Sequence, residues 1–281
     1  MNHKEPIDKV YRVLIPLTLV QYGERMKKST YSAPSVQKAF KILHAIADSS
    51  SGVGVSELAK QLKIGKSTVH GITNSLEELG VLVRDPVDKR YNLGYTLIEI
   101  GRKNYGRIEW REVARTPMER LMEKVGETIF LGIMNGDHIT ILDVVESHNE
   151  MKITSPPGTR LPLLAGATGK VFLSQLDEKK VREIIQKVGL MKFTSKSVTD
   201  PKAFLKEVSE AKERGYAIDD EEYLLGVRAI AVPIRLSPLP PAAIWAVGFT
   251  SSLNDQKVET VILEIQKTGR EIGRALEGRL K

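Results

Sequence analysis

The sequence contains no cysteine among its 281 residues. Disulfide-stabilised scaffolds, thiolate zinc sites and cysteine nucleophiles are therefore excluded, and the cytoplasm is the expected compartment. Long hydrophobic runs are also lacking. The nearest one, Val10–Val20, is interrupted by Arg12 and Pro16 and is shorter than the ~20 apolar residues of a membrane helix. We interpret it as a short tail helix or an upstream translated extension, and we expect no membrane partner.

The chain is basic and long enough for two domains. The chain has 42 Lys+Arg against 35 Asp+Glu, a net charge of +7, which favours a polyanionic partner only if the basic residues lie together. The length suits two domains. The patterns predict an N-terminal extension over 1–34, whose order the sequence leaves open, and a first domain over 35–96. A linker helix over 97–112 and a second domain over 113–281 follow.

The first domain has the pattern of a winged helix-turn-helix. A helix from Ser35 is followed by SELAKQL, a short KIG turn and the helix KSTVHGITNSLEELG. Apolar residues at helical spacing predict the buried stripe of this third helix: Val69, Ile72, Leu76 and Leu79. The segment VLVRDPVDKRYNLG then predicts a two-stranded hairpin around a DPVDK turn.

The outer face of the third helix and the hairpin provide candidate DNA contacts. They are short polar or basic residues that can approach base edges and phosphates: Lys66, Ser67, Thr68, His70, Gly71, Asn74, Arg84, Lys89 and Arg90. A solvated helix face, or one that contacts another protein, can have the same composition. Turn length, wing and wing charge favour duplex DNA, and we expect Arg90→Ala to weaken binding to every sequence.

The segment after the hairpin is a basic helical connector. Its cations are Arg102, Lys103, Arg107, Arg111 and Arg115. They fit either a solvated spacer or contacts to the DNA backbone. A dimer contact through Leu97, Ile100 and Ile108 is compatible with both interpretations.

The second domain has the pattern of an α+β fold. TIFLGIM and HITILDVVE are predicted strands, and Asn135-Gly136 between them is a strong hairpin signal. Later segments predict helices in blocks and two further strands, GVRAIAVPI and AIWAVGFTS. Adjacent strands with blocks of helices favour an antiparallel sheet covered by helices.

Motifs for catalysis, cofactors or metals are not found in the sequence. Gly65-Lys66-Ser67 resembles the end of a phosphate-binding loop, but Lys60 holds the position of its first glycine. The five histidines lack metal-ligand spacing. The acids Asp219–Glu222 fit a charged turn or ligand rim better than a catalytic dyad or metal site. We expect no enzyme, no cofactor and no metal; an enzyme with an auxiliary winged helix is the alternative.

Five long segments between Ser35 and Gly273 are similar to those of one family. They are AFKILHAIA, SELAKQLKIGKSTVHGITNSLEELG, VRDPVDKRYNLGYTLIEIG, PPGTRLPLLAGATGK and ERGYAIDDEEYLLGVRAIAVPI. With them the chain resembles the IclR family of bacterial transcription regulators. The resemblance implies a repressor or activator that forms a homodimer or tetramer. It also implies a C-terminal GAF-like domain that binds a small organic effector. A two-fold dimer would require a roughly palindromic operator.

The resemblance also implies the positions of the effector pocket. They are Ala167, Thr168, Asp219, Ala229, Trp245 and Val247. The family often has Cys where this chain has Ala229, and Ser at the two strand positions that match Trp245 and Val247. A pocket with fewer hydrogen-bond donors suits an effector with apolar or aromatic surface. The family often has Arg where this chain has Gly71, so guanine readout by that side chain is lost.

Overall fold

The structure is a computed structural model that describes residues 11–14, 33–105, 110–236 and 240–279. Its contacts divide the chain into two compact units, with the boundary between Glu109 and Trp110. Strand β1 (Tyr11–Leu14) belongs to the larger unit, together with the residues from Trp110 onward. None of the helices in the described ranges is long and apolar enough to cross a membrane.

The smaller unit is a winged helix-turn-helix, as predicted. The strands β2 and β3 pair antiparallel to form the wing. In chain order its elements are α1 (Pro34–Ala47), α2 (Val55–Leu62), α3 (Lys66–Glu78), β2 (Leu82–Arg84), β3 (Tyr91–Leu93) and α4 (Thr96–Tyr105). The turn between α2 and α3 depends on Lys63, whose positive φ of 54° allows the Ile64 amide to donate to the carbonyl of Ala59.

The core of this unit lies between the three helices and the wing. Leu58 and Val69 are fully buried, and so is Tyr91 at the start of β3. The predicted stripe on α3 is wrong at Leu79, which is 67% exposed. Thr73 is buried in its place, because its hydroxyl donates to the carbonyl of His70 and so needs no water.

The larger unit contains a six-stranded sheet. Its strand order is β7-β5-β4-β10-β9-β8, and all neighbours are antiparallel, which confirms the predicted sheet type. The strands are β4 (Thr128–Asn135), β5 (His138–Val145), β7 (Arg160–Pro162), β8 (Ala217–Asp220), β9 (Val227–Ile234) and β10 (Ala242–Phe249). The predicted hairpin joins β4 and β5 through Gly136, whose φ is +64°.

Helices cover both faces of this sheet. They are α5 (Trp110–Val125), α6 (Gly166–Leu173), α7 (Glu178–Val188), α8 (Pro201–Arg214) and α9 (Asp255–Arg279). Successive residues of a strand point to opposite faces. Accordingly, Trp245 packs in the cluster with α6, α7 and α8, whereas Ile244 approaches Gly269 of α9.

The N-terminal extension contributes a strand to the larger unit. The backbone of β1 pairs in parallel with β6 (Met151–Thr154), from Tyr11 opposite Met151 to Leu14 opposite Thr154. The expected tail helix over Val10–Val20 is therefore wrong at these four residues, because they form backbone hydrogen bonds to another strand. The rest of that segment lies outside the described residues.

The two leucines at 58 and 79 provide a test of the core of the smaller unit. Leu58→Ala should lower the free energy of unfolding by about 2–5 kcal/mol, because it leaves a cavity in a closed core. Leu79→Ala, the same substitution on an exposed side chain, should change it by less than about 0.5 kcal/mol. Urea denaturation followed by circular dichroism measures both; equal losses would contradict this description of the core.

Candidate nucleic-acid interface and effector cavity

The outer face of α3 combines exposed polar side chains with exposed backbone. Lys66, Ser67 and His70 are exposed on it, and Thr68 is half-buried. The helix begins after Gly65, and no side chain in the described part of the chain caps it. The first amides of a helix have no partner within the helix, so they can bind a phosphate oxygen here.

Gly71 lies at the centre of this face. A Cβ added there would meet no atom of the described residues within 4 Å, so packing inside the unit gives no reason for a glycine. Glycine in a helix interior costs about 1 kcal/mol relative to alanine. Gly71 therefore lowers the stability of the helix with no benefit to packing inside the unit. A partner that approaches the bare backbone at this position would explain the glycine.

Asn74 is partly engaged within the unit. It is half-buried, and its Oδ1 accepts from the Tyr91 hydroxyl at 3.4 Å. Its Nδ2 lies 3.4 Å from Nδ1 of His70. Asn74 is therefore less exposed than Lys66, Ser67, His70 and Gly71, four other candidates on this face of α3.

The wing cations differ in how far they are engaged. Arg84 is exposed, and its guanidinium lies over the Tyr91 ring, 5.5 Å from the centroid. Lys89 is also exposed, and its Nζ donates to the carbonyl of Pro86 at 2.7 Å. Both can reach outward by a change of rotamer, so both remain candidate phosphate contacts.

Arg90 is engaged inside the unit. Its Nη2 donates to the Gly52 carbonyl at 3.0 Å and forms an ion pair with Glu57 at 2.9 Å. Its Nε donates to the Ser51 carbonyl at 3.1 Å. The pKa of Glu57 is lowered, first by a hydrogen bond from the Gly54 amide and then by Arg90. Arg90 therefore holds the wing against the start of α2, and its phosphate contact stays a prediction.

The connector cations divide between two situations. Arg111 and Arg115 form ion pairs with the buried carboxylate of Asp143 on β5, at 3.3 and 3.4 Å. They anchor α5 to the sheet, a role that neither the solvated-spacer nor the DNA-contact interpretation predicted. The side chains of Arg102 and Lys103, and all of Arg107 and Ile108, lie outside what the structure describes.

A cavity between the sheet and α6 brings together all six predicted effector residues. Ala167, Thr168, Asp219, Ala229, Trp245 and Val247 line it, with Leu161, Ala165, Tyr223, Leu224 and Val227. The last five were missed by sequence reasoning, although each lies within a segment that carries the family resemblance. The lining is mostly apolar, and Asp219 is its one ionisable carboxylate.

Asp219, in strand β8, is buried against the start of α6. Its Oδ1 accepts from the backbone amides of Glu222 at 2.6 Å and Tyr223 at 3.4 Å. Gly166 allows this approach, because a Cβ there would lie 1.9 Å from Oδ2, and its φ is +50°. Burial raises the pKa of Asp219 to about 7, and the two amides oppose this shift only in part.

Lys170 lies one turn further along α6 and connects this helix to the loop after β8. It is 2% exposed and forms ion pairs with Glu222 and, at 2.5 Å, with Glu207 of α8. Burial raises the pKa of Glu222, and Lys170 opposes that rise. Sequence reasoning missed Lys170, because a lysine on a helix normally predicts a solvated position.

The two middle acids of the Asp219–Glu222 run are paired with cations. Asp220 binds Arg228 at 2.7 Å, and Glu221 binds Lys196 at 2.7 Å. Among the described residues, no group of His, Asp and Glu side chains is arranged to hold a metal ion. The run is therefore an ion-paired turn at the rim of the cavity, the alternative that the sequence favoured.

Two family patterns match the chain. The pattern described as "Bacterial transcriptional regulator IclR C-terminal" matches residues 103–274, and the IclR helix-turn-helix domain matches residues 35–86. Together they cover both units.

Individual relatives show the same likeness. The HTH-type transcriptional regulator BhcR of Paracoccus denitrificans is 34% identical over 239 residues, 85% of each chain. The crystal structure of the Thermotoga maritima IclR protein matches with a TM-score of 0.66 and 31% identity, over 86% of this chain and 98% of that one. A homologue from Microbacterium hydrocarbonoxydans, solved with 4-hydroxybenzoate, has the same fold: TM-score 0.74, 23% identity, 87% of this chain and 99% of that one.

Gly71 provides a test of the outer face of α3. Gly71→Ala should raise the free energy of unfolding by about 0.5–1 kcal/mol, because alanine favours helix. The same variant should bind duplex DNA more weakly, because the methyl group occupies the surface that DNA approaches. Gly101→Ala in α4 is a matched control, since no described atom lies within 4 Å of its Cβ either. Unchanged DNA affinity in Gly71→Ala would contradict the assignment of this face.

Asp219 provides a test by pH. Its pKa is raised in the fold, so its contribution to stability is full below pH 4 and is lost as the pH rises through about 7. The loss should be about 1.4 kcal/mol for each pH unit between 5 and 7. Asp219→Asn should flatten this dependence in urea denaturation at pH 5, 6, 7 and 8. The pKa of Asp220 is lowered by Arg228, so Asp220→Asn should leave the slope in place.

Proposed function

Because the chain belongs to the IclR family of bacterial transcriptional regulators, we propose that α3 and the wing bind its operator and that an effector in the Asp219 cavity controls this binding. The chain is a DNA-binding transcription regulator with an effector-binding C-terminal domain, and it is not an enzyme. Binding to DNA supports the cytoplasm as the compartment in which it acts.

The outer face of α3 carries the DNA proposal. Ser67, His70 and Gly71 are exposed on one side of a helix whose opposite side is buried. In a helix-turn-helix this side enters the major groove, and the residues at its N-terminal half reach base edges. Lys66 and the uncapped amides at the helix start are then positioned for the DNA backbone. Gly71 allows the helix axis to lie close to the bases.

Self-association is supported by apolar residues on the smaller unit. Seven of them are more than half exposed, and five of these lie on or next to α1 and α4: Val36, Phe40, Tyr95, Ile98 and Ile100. Large apolar side chains exposed on two helices favour an interaction site. A two-fold dimer would place two recognition helices about one helical turn of DNA apart, so the operator is roughly palindromic.

The cavity supports a small, partly apolar organic acid as effector. Ala167, Ala229 and Val247 provide apolar surface, and the first amides of α6 can bind a carboxylate. Asp219 can bind a second polar group, and its raised pKa limits its repulsion of an anion below pH 7. The neighbour solved with 4-hydroxybenzoate supports an organic acid as the class.

Coupling between the two sites requires an element attached to both units. Arg111 and Arg115 fix α5 to Asp143 of the sheet. In the other unit, the Thr96 hydroxyl at the start of α4 donates to the carbonyl of Leu79. An effector can change DNA affinity only if it favours one arrangement of the units, and the α4–α5 connection carries that difference.

Lys66 tests the DNA proposal directly. Lys66→Ala should weaken binding to all duplex sequences and lower the slope of log affinity against log salt by about 1 for each bound protomer, because each protomer loses one phosphate contact. Fluorescence anisotropy between 50 and 200 mM salt, on a duplex selected by the protein from random sequence, measures this. Lys187→Ala removes the same charge from an exposed position on α7 and should leave the slope unchanged. Equal slopes for Lys66→Ala and the wild type would refute the contact.

A further inference from the structure

The indole of Trp245 occupies the space beside the effector cavity. Trp245 is 1% exposed and lines the cavity from β10. Its ring stacks on Phe130 of β4, with centroids 5.6 Å apart and planes 11° from parallel. It also meets the edge of Phe172 of α6 at 6.4 Å. Aromatic pairs at such distances attract each other, so the indole is held in this position by two neighbours.

Small residues on adjacent strands make room for this ring. A Cβ on Gly132 of β4 would lie 2.7 Å from Cη2 of Trp245. Ala231 is the register partner of Trp245 on β9, and Ala243 lies two positions before it on the same face of β10. Both alanines are fully buried. Three strands thus provide the space that the bicyclic ring occupies.

The space left in the cavity is small. The centre of a water molecule can reach about 40 Å³ of it. One water needs about 10–15 Å³ in this measure, and sites for drug-sized ligands have about 300–1,000 Å³. About 40 Å³ is room for a few water molecules, and it is well below the ~150 Å³ of a cavity that binds benzene.

We propose that Trp245 sets the size limit of the effector, restricting it to compact organic acids and excluding aromatic acids. This rests on the proposed function, since it takes the cavity as the effector site. It narrows the sequence expectation of an effector with apolar or aromatic surface, because the aromatic group in this cavity belongs to the protein.

Benzoate, which joins a carboxylate to one ring, is the probe. Titration calorimetry should give no measurable binding of benzoate to the wild type. Trp245→Ala should bind it at least about tenfold more tightly, because the ring enters the space that the indole leaves. Trp245→Leu keeps apolar bulk for folding while removing the bicyclic ring, and it should show a smaller gain. Circular dichroism verifies that each variant is folded.

The chain offers a matched control for the cavity itself. Trp110 on α5 is its only other tryptophan, is buried and does not line the cavity. Trp110→Ala removes the same side chain elsewhere in the unit and should not bind benzoate. Equal benzoate affinity in the wild type and both Trp245 variants would overturn the proposal, as would a folded Trp245→Ala or Trp245→Leu without any gain.

DNA binding with and without benzoate separates this proposal from the proposed function. If Trp245→Ala gains benzoate binding and its DNA affinity responds, both stand. If it gains binding but DNA affinity is unchanged, Trp245 limits the size of what enters the cavity, but the cavity is not the effector site and the proposed function fails. If benzoate changes the DNA affinity of the wild type, the effector domain responds and Trp245 does not exclude rings.

Discussion

The close approach of the Asp219 carboxylate to the backbone of Gly166 is the contact on which the larger unit's cavity depends. It joins the edge strand β8 to the start of α6 and requires a glycine at that position. Lys170 repeats the connection one turn later through Glu222. With α6 held at both points, the loop after β8 forms one wall and the sheet forms the other. The cavity between them is mostly apolar apart from Asp219, and α6 provides its first amides to the same space.

In both units, arginine side chains hold one element of secondary structure against another. In the smaller unit, Arg90 fixes the wing to the start of α2. This contact does not use the outer face of α3, which stays exposed. In the larger unit, Arg111 and Arg115 fix α5 to Asp143. In each case arginine side chains that remain partly or largely exposed hold one element against its neighbour. Ion pairs at such positions add little to stability, so their contribution here is to geometry.

Sequence reasoning predicted the elements that carry strong periodicity or turn chemistry. The helices of the smaller unit, the wing and the hairpin at Gly136 follow from such local signals. Strands β6, β7 and β8 have only three or four residues, too few for a pattern of alternation, so they were not predicted. The six cavity residues were predicted from the family resemblance. It gives the positions that line the cavity, but not how much of the cavity each side chain occupies. Two features depend on residues distant in sequence and could not be predicted. The indole of Trp245 occupies space beside the cavity, and the side chain of Lys170 is buried.

The pairing of β1 with β6 has a topological consequence. Tyr11–Leu14 pairs within the larger unit, the winged helix follows it in sequence, and α5 belongs to the larger unit again. In covalent terms the DNA-binding module is an insertion, attached to its host at two chain ends. Enclosing a segment between two anchored ends has an entropic cost that grows only slowly with its length, so a whole domain can be inserted at little extra cost.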